Sequence, residues 1–286
     1  MTRTTLRQLL GPVPDPLVRH VMYRRRFGRW GDFRRPTRFT EVLTRRMLAE
    51  RTQQIAWTCD KTRMKEYAAR TCPQLQVPAT LWRGREVDDL NVSDLPERWV
   101  IKPNHASGMV AFGDRSTTVK ELRGTTRGWL RTYDRAALGE WAYRWADHSL
   151  IVEPDLSRDR GRDLVDYKFY VFHGRVKMLH RSSGRFTAGH GERFYSPDWR
   201  ILDLYNGVTQ EPEAPRPTSL AEMIAHAEAL GGGFGFMRVD FYEIDGVPWF
   251  GELTPYPSGG MDPFEPEEVD LEMGRWWMDA PEGSLR

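Results

Sequence analysis

"FGFMRVDFYEIDGVPWFGELT", residues 234–254, consists of two apolar and aromatic runs divided by Asp245-Gly246. Asp-Gly between two such runs is a strong hairpin signal, because the tight turn that suits twisted strands needs positive φ at its central residues. Residues 166–182, "DYKFYVFHGRVKMLHRS", repeat the pattern about His173-Gly174. Antiparallel sheet is therefore expected late in the chain. Further strand patterns lie at 98–103 ("RWVIKP"), 149–154 ("SLIVEP") and 192–199 ("ERFYSPDW"). Helical periodicity covers 39–52, 60–70 with Asp60 as cap, 118–132, 136–146 and 218–230, and Pro-rich 211–217 reads as a loop. Helices scattered around hairpins predict an α+β class, and the chain has neither a GxxxxGK[ST] nor a GxGxxG stretch.

A chain of 286 residues with 40% hydrophobic content can bury a sizeable core. Its two cysteines, Cys59 and Cys72, are too few for a disulfide framework or a zinc site. No apolar run approaches the ~20 residues that span a bilayer, and the first residues lack a signal-peptide pattern, so a cytoplasmic location is expected. Net charge is +2, yet residues 1–35 hold nine arginines against Asp15 and Asp32. "YRRRFGRWGDFRR" suits an RNA, a phosphorylated substrate or an anionic membrane, or simply a solvated face with arginine stems packed over aromatics.

The 234–254 hairpin carries the most pointed chemistry. Asp240 on its incoming strand and Glu252 on its outgoing strand can approach across the ladder. Two carboxylates in apolar surroundings repel unless a positive group lies between them. A Mg²⁺ ion completed by water and phosphate oxygens would resolve this, and Thr254 offers a third oxygen. Arg238, two residues before Asp240 and so on the same face, would hold a phosphate or acyl-phosphate oxygen. An ordinary Arg–carboxylate ladder is the competing reading. "WVIKPNHASGMV", residues 99–110, places Lys102 at a strand end beside small residues; alone it is either a phosphate-holding loop or a strand ending in a turn. The histidines 105, 173, 180 and 190 show no metal-ligand spacing, and Ser182, Ser183 and Ser258 form no nucleophile elbow.

"DKTRMKEY", "WVIKPNHASG", "IVEPDL", "DYKFYVFHG", "MRVDFYEIDG" and "FGELTPYPSGG", in this order between about Tyr23 and Trp276, resemble the ATP-grasp superfamily. The similarity is to its branch like the teichuronopeptide biosynthesis protein TupA, and "PTRFTEVLTRRML", before the first lysine, also resembles that branch's entry segment. The resemblance implies ATP held between two subdomains with antiparallel sheets, together with Mg²⁺, two ions being expected. It assigns Lys61 and Lys102 to the phosphates and the stretch Asn104, His105, Ser107 and Gly108 to a mobile cover. It places Glu153 at the hinge near adenine and ribose, Asp166 and Lys168 along the cleft, and Asp240 and Glu252 as metal ligands. Thr254 stands where many members have Asn, and Ala106 where the branch often has Gly, so these two points depart from the pattern. Backbone donors of Ser258, Gly259 and Gly260 would be able to meet an anion.

The expected organisation is an Arg-rich helical entry at 1–55, a smaller subdomain at 56–149 and a larger one at 150–286. The implied reaction is ATP-dependent joining of a carboxylate to an amine through an acyl phosphate, with Arg238 and Lys168 acting at the reacting groups. The partners expected are thus an acid and an amine, from cell-wall polymer or specialised-metabolite chemistry. Two alternatives stand beside it: a kinase acting on a hydroxyl, and a non-enzymatic module binding nucleotides or nucleic acid through the Arg-rich front.

Overall fold

The computed structural model describes residues 15–132, 139–157, 159, 164–185 and 187–279. The arginines at 3 and 7, the start of the helix expected at 136–146 and the last seven residues lie outside these. Both anticipated hairpins form, β5 (Asp166–Phe172) with β6 (Arg175–Ser183) and β8 (Phe236–Ile244) with β9 (Val247–Thr254). Their turn residues have positive φ, 48° and 74° at His173 and Gly174, 51° and 77° at Asp245 and Gly246. With β7 (Gly191–Tyr195) they make a five-stranded antiparallel sheet in the order β7-β6-β5-β8-β9.

A second antiparallel sheet has the order β1-β4-β2-β3, from β1 (Trp82–Gly84), β2 (Arg98–Pro103), β3 (Ala111–Asp114) and β4 (Leu150–Pro154). Along β2, Trp99 and Ile101 turn into a small core with Leu122, Leu150 and Val152, so Val100 and Lys102 face the other way. The Trp99 ring lies over its register partner Gly113, where an added Cβ would come within 2.3 Å of the indole. The short strands β1 and β3 carry too little alternation to be read from sequence.

Helices α1 (Asp15–Phe27), α2 (Phe39–Ala49), α3 (Gln53–Trp57), α4 (Lys61–Thr71), α5 (Val119–Thr125), α6 (Leu220–Gly231) and α7 (Glu267–Met278) complete the description. The expected 118–132 helix stops at Thr125, and after Gly128 at φ 82° a 3-10 turn covers Trp129–Arg131. In place of a helix at 139–146 there is a 3-10 turn, Trp141–Trp145. Helix α7 carried no clear periodic signal amid its acidic and aromatic residues.

The expected division of the chain needs two corrections. Ile55, Cys59, Met64, Ala68 and Cys72 belong to the large core under the five-stranded sheet, so α3 and α4 pack with the larger body. β4 follows residue 149 yet pairs with β2 and β1, so the smaller sheet extends through Pro154. Helix α1 rests on α2 and α2 docks on α7: Tyr23 Oη pairs with Thr40 Oγ1 at 2.9 Å, and Thr40 donates through N and Oγ1 to Asp270 at 3.0 and 2.8 Å. Both cysteines are free and buried. Among the described residues, no helix is long and apolar enough to cross a membrane.

Candidate functional site

A cavity of about 380 Å³ opens between the two sheets, within the range of small-molecule sites. One wall comes from β2 and β4, where Val100, Lys102 and Glu153 meet Phe112 of β3. The other comes from β5, β8 and β9, with Asp166, Asp240 and Glu252 on it, and Lys61 reaches in from the first turn of α4.

The carboxylate pair owes its position to register and to a bulge. Asp240 sits opposite Glu252, but Phe241 already pairs with Phe250, leaving Gly251 as the extra residue of β9. A Cβ at Gly251 would lie 2.8 Å from the Asp240 carbonyl oxygen, so only glycine fits the close approach. Arg238 closes a fork on Asp240, Nε to Oδ1 at 2.8 Å and Nη2 to Oδ2 at 2.7 Å. The same Nη2 lies 3.3 Å from Glu252 Oε1 and 3.2 Å from Thr254 Oγ1, and Thr254 donates to Glu252 at 2.9 Å. Thr254 and Arg238 stand behind the acidic pair and are not part of the cavity wall.

Charge is distributed unequally within that pair. Burial lifts Asp240 to about 6 against the pull of Arg238. Burial also pushes Glu252 upward, but Arg238, Lys61 and Arg185 outweigh it and hold the carboxyl at about 2. Burial lowers Lys61 to about 8, opposed by Glu252. Among the described residues no group of three His, Cys, Asp or Glu assembles a closed metal site. Two adjacent carboxylates in an open cavity are instead the oxygen donor set of a hard cation that keeps its waters and binds phosphate, and Asp240 and Glu252 fit Mg²⁺ in that sense.

At the other wall Glu153 clasps two lysines, Lys102 Nζ at 2.5 Å and Lys65 Nζ at 2.8 Å. Burial would raise the Glu153 pKa, yet Lys102 and Lys65 bring it below the usual carboxylate range. Lys65 is a further wall residue that sequence reasoning missed; it lies one helical turn after Lys61, so the i, i+4 spacing on α4 held the signal. Arg185, in the turn between β6 and β7, is a second such residue, and no periodic pattern marks it.

The loop after β2 departs from a uniformly mobile cover. Asn104 and His105 are fully buried and off the cavity wall. Asn104 Oδ1 accepts from Thr62 N and Oγ1 at 2.9 and 3.0 Å, and its backbone oxygen accepts from Lys61 N at 3.2 Å. His105 stacks on His148 with centroids 3.8 Å apart. Asn104 therefore anchors the N-terminus of α4, and Lys61 Nζ adds a 2.5 Å bond to Ala106 O. The loop joins the cavity wall at the buried Ala106 and is exposed over it at Ser107 and Gly108.

Lys168 pairs with Asp166 at 3.1 Å and lies in register with Asp240, buried beside the wall and not on it. The Ser258–Gly260 segment has three successive left-handed residues, and Arg19 donates to Gly259 O at 2.7 Å, so one of its groups binds the protein's own cation.

A family described as TupA-like ATPgrasp matches residues 41–278. No curated protein matches the chain. Similar solved structures include D-alanine–D-alanine ligase from Helicobacter pylori, 16% identical over 79% of this chain and 62% of that one, with a TM-score of 0.46. The Bacillus anthracis D-alanine–D-alanine ligase complexed with ATP is 16% identical over 69% of this chain and 53% of that one, TM-score 0.42. The ATP-grasp ligase PsnB, complexed with a phosphomimetic variant of its minimal precursor, Mg and ADP, is 14% identical over 84% of this chain and 66% of that one, TM-score 0.42. The chain thus spans between 53% and 66% of the length of these proteins.

Proposed function

From a chain that belongs to the TupA-like ATP-grasp family, we propose an ATP-dependent ligase that joins a carboxylate to an amine. The observation that carries this reading is the cleft itself, where Lys61, Lys65 and Lys102 share one cavity with Asp240 and Glu252. Cations for a triphosphate and acids for its metal thus converge from separate parts of the fold.

Val100 and Phe112 give an apolar surface on the small sheet for a purine ring. Lys65 and Lys102, handed over from Glu153, neutralise phosphate oxygens, and Lys61 does so from the end of α4. Asp240 and Glu252 hold Mg²⁺, which when bound offsets phosphate charge and orients the group being transferred. Arg238 and Thr254 keep the two carboxylates aligned. Residues from Ser107 onward shield the site from water. In the reaction proposed, a substrate carboxylate oxygen attacks the γ-phosphorus and ADP departs. An amine then adds to the acyl carbon, loses its proton and displaces phosphate, leaving the amide.

An ADP-release screen of amino acids and sugar acids against amine acceptors tests this, with mass spectrometry of the products. The ligase reading expects ADP and free phosphate together with a product weighing acid plus amine less water. A phosphorylated hydroxyl with no free phosphate would make the chain a kinase, and nucleotide binding without turnover on any pair would leave it a binding module.

A further inference from the structure

We propose that the outer face of α1 and the segment after it dock on an anionic bilayer surface, with Leu17, Val21 and Trp30 entering the headgroup region and Arg24, Arg25, Arg34 and Arg35 lying over the lipid phosphates. None of these residues belongs to the cleft, so the docking face is independent of the nucleotide reading.

The face follows from helical spacing. Leu17, Val21, Arg24 and Arg25 stand at i, i+4, i+7 and i+8 on α1, hence on one stripe, and all four are exposed. Arg19 and Tyr23 are buried on the side that bonds to Thr44 and Thr40 of α2. Leu17 is 56% exposed and Val21 38%, so an aliphatic stripe points away from the core of the protein. After Gly28, at φ 70°, the chain comes back along the helix, because the Phe33 ring packs on His20 and Tyr23 with centroids 4.4 and 5.4 Å apart. That return brings the exposed Arg34 and Arg35 beside α1, and Trp30 on the way is 64% exposed.

The charges on this face differ from those of the neighbouring arginines. Arg29 and Arg38 pair with Glu267 and Asp270 of α7, and Arg26 donates to Met261 O. Among the described residues, Arg24, Arg25, Arg34 and Arg35 enter no ion pair within 4.0 Å. Asp32 is the carboxylate beside them, and its Oδ1 takes the backbone N–H groups of Arg34 and Arg35 at 3.0 and 2.9 Å. One acid against four arginines leaves the face basic. Exposed aliphatic and Trp side chains amid such arginines are what a helix lying in a bilayer interface presents, the apolar groups entering between headgroups and the cations meeting the anionic lipids. An RNA would draw on the same arginines and could stack on Trp30, but Leu17 and Val21 offer a base no π-face. The aliphatic pair therefore favours lipid.

Co-sedimentation of the full chain with vesicles tests this, comparing phosphatidylcholine alone with phosphatidylcholine carrying about 30% phosphatidylglycerol, at about 0.1 and 0.5 M salt. The chain is expected to bind the anionic vesicles at least about tenfold more strongly than the neutral ones, with most of that difference lost at high salt. Arg34→Ala with Arg35→Ala should weaken binding to the anionic vesicles by about tenfold or more, as removal of two basic groups near the surface implies. Leu17→Ser with Val21→Ser should weaken it by about fivefold or more and leave the salt dependence in place. All four positions are exposed, so Tm is expected to stay at the wild-type value and the loss reads the surface itself. No binding to either vesicle, equal binding to both, or binding that survives the two double variants would overturn the proposal. So would a loss confined to the arginine pair, and a single-stranded RNA oligomer bound at the lower salt would then assign the face to nucleic acid.

Discussion

Lys61 is a cation held at a cost. Its ammonium is pulled down to about 8 by burial, and Glu252 only partly restores it. Between about 8 and the ordinary lysine value of 10.5 the folded chain holds fewer protons at this site than the unfolded chain, so this group's contribution makes stability rise with pH in that window. Phosphate binding runs the other way, because it needs the ammonium. ADP affinity should therefore fall as pH rises through about 8, and Lys61→Arg, which stays charged, should flatten that fall; a flat profile in the wild-type chain would take Lys61 out of the phosphate site. Glu252 is the converse case, ionised at any working pH. Glu252→Gln should lower ADP release by at least ~10²-fold, a loss of the size seen when one preorganised electrostatic group is removed, with an unchanged far-ultraviolet circular dichroism spectrum. The place of both residues on the cavity wall was legible from sequence, since motif order and hairpin spacing mark it. That Asn104 and His105 are buried off the cavity wall was not legible, because packing of Asn104 on α4 and of His105 on His148 is a property that a loop's composition does not carry. The place of Arg185 on the cavity wall was invisible for a related reason, since no periodic pattern marks a lone arginine in a turn.

At the scale of the element, the β8–β9 hairpin converts sequence into site geometry. Asp245-Gly246 sets the turn, and alternation then puts Arg238, Asp240 and Tyr242 on one face with Met237, Val239 and Phe241 on the other. That much follows from the residue pattern. The bulge at Gly251 does not, because a glycine in a strand is compatible with several irregularities, and only the register shows that it lies between the pairs Asp240–Glu252 and Phe241–Phe250. Gly251→Ala should force the β9 backbone away from the Asp240 carbonyl and displace Glu252. The expected outcome is a stability loss of roughly 1–3 kcal/mol, the range for overpacking a tight contact, accompanied by a weaker response to Mg²⁺ in nucleotide binding. Wild-type Mg²⁺ dependence in a folded Gly251→Ala chain would show that the bulge does not place the carboxylates.

On the scale of the whole molecule, chain order and spatial grouping diverge. Residues near Lys61 precede the small sheet in sequence, yet their apolar face completes the large core, so α4 delivers lysines to the cleft from the opposite body. Composition gave no sign of this, as the periodicity of a helix says which face is buried and not against what. The Arg-rich front resolves in the same way. Arg19 is buried and bonded to Gly259 O and Thr44, Arg26 to Met261 O, and Arg29 and Arg38 pair with acidic residues of α7, which ties the entry helices to the segment following the β8–β9 hairpin. Arg19→Ala should cost about 2–3 kcal/mol by orphaning buried partners, read as a fall of several degrees in Tm, whereas Arg34→Ala with Arg35→Ala, both exposed, should leave Tm unchanged. Equal effects of the two variants would return the front to a uniformly solvated surface.

On the proposed reading, acids of one sheet and lysines converging on the same cleft grip a triphosphate through a shared divalent ion. A crystal structure of the chain with Mg²⁺ and AMPPNP tests it most directly. Metal density touching Asp240 and Glu252 is expected, with phosphate oxygens within hydrogen-bond reach of Lys61 and Lys102. Nucleotide bound elsewhere, or phosphates in this cleft with the ion away from both carboxylates, would contradict it.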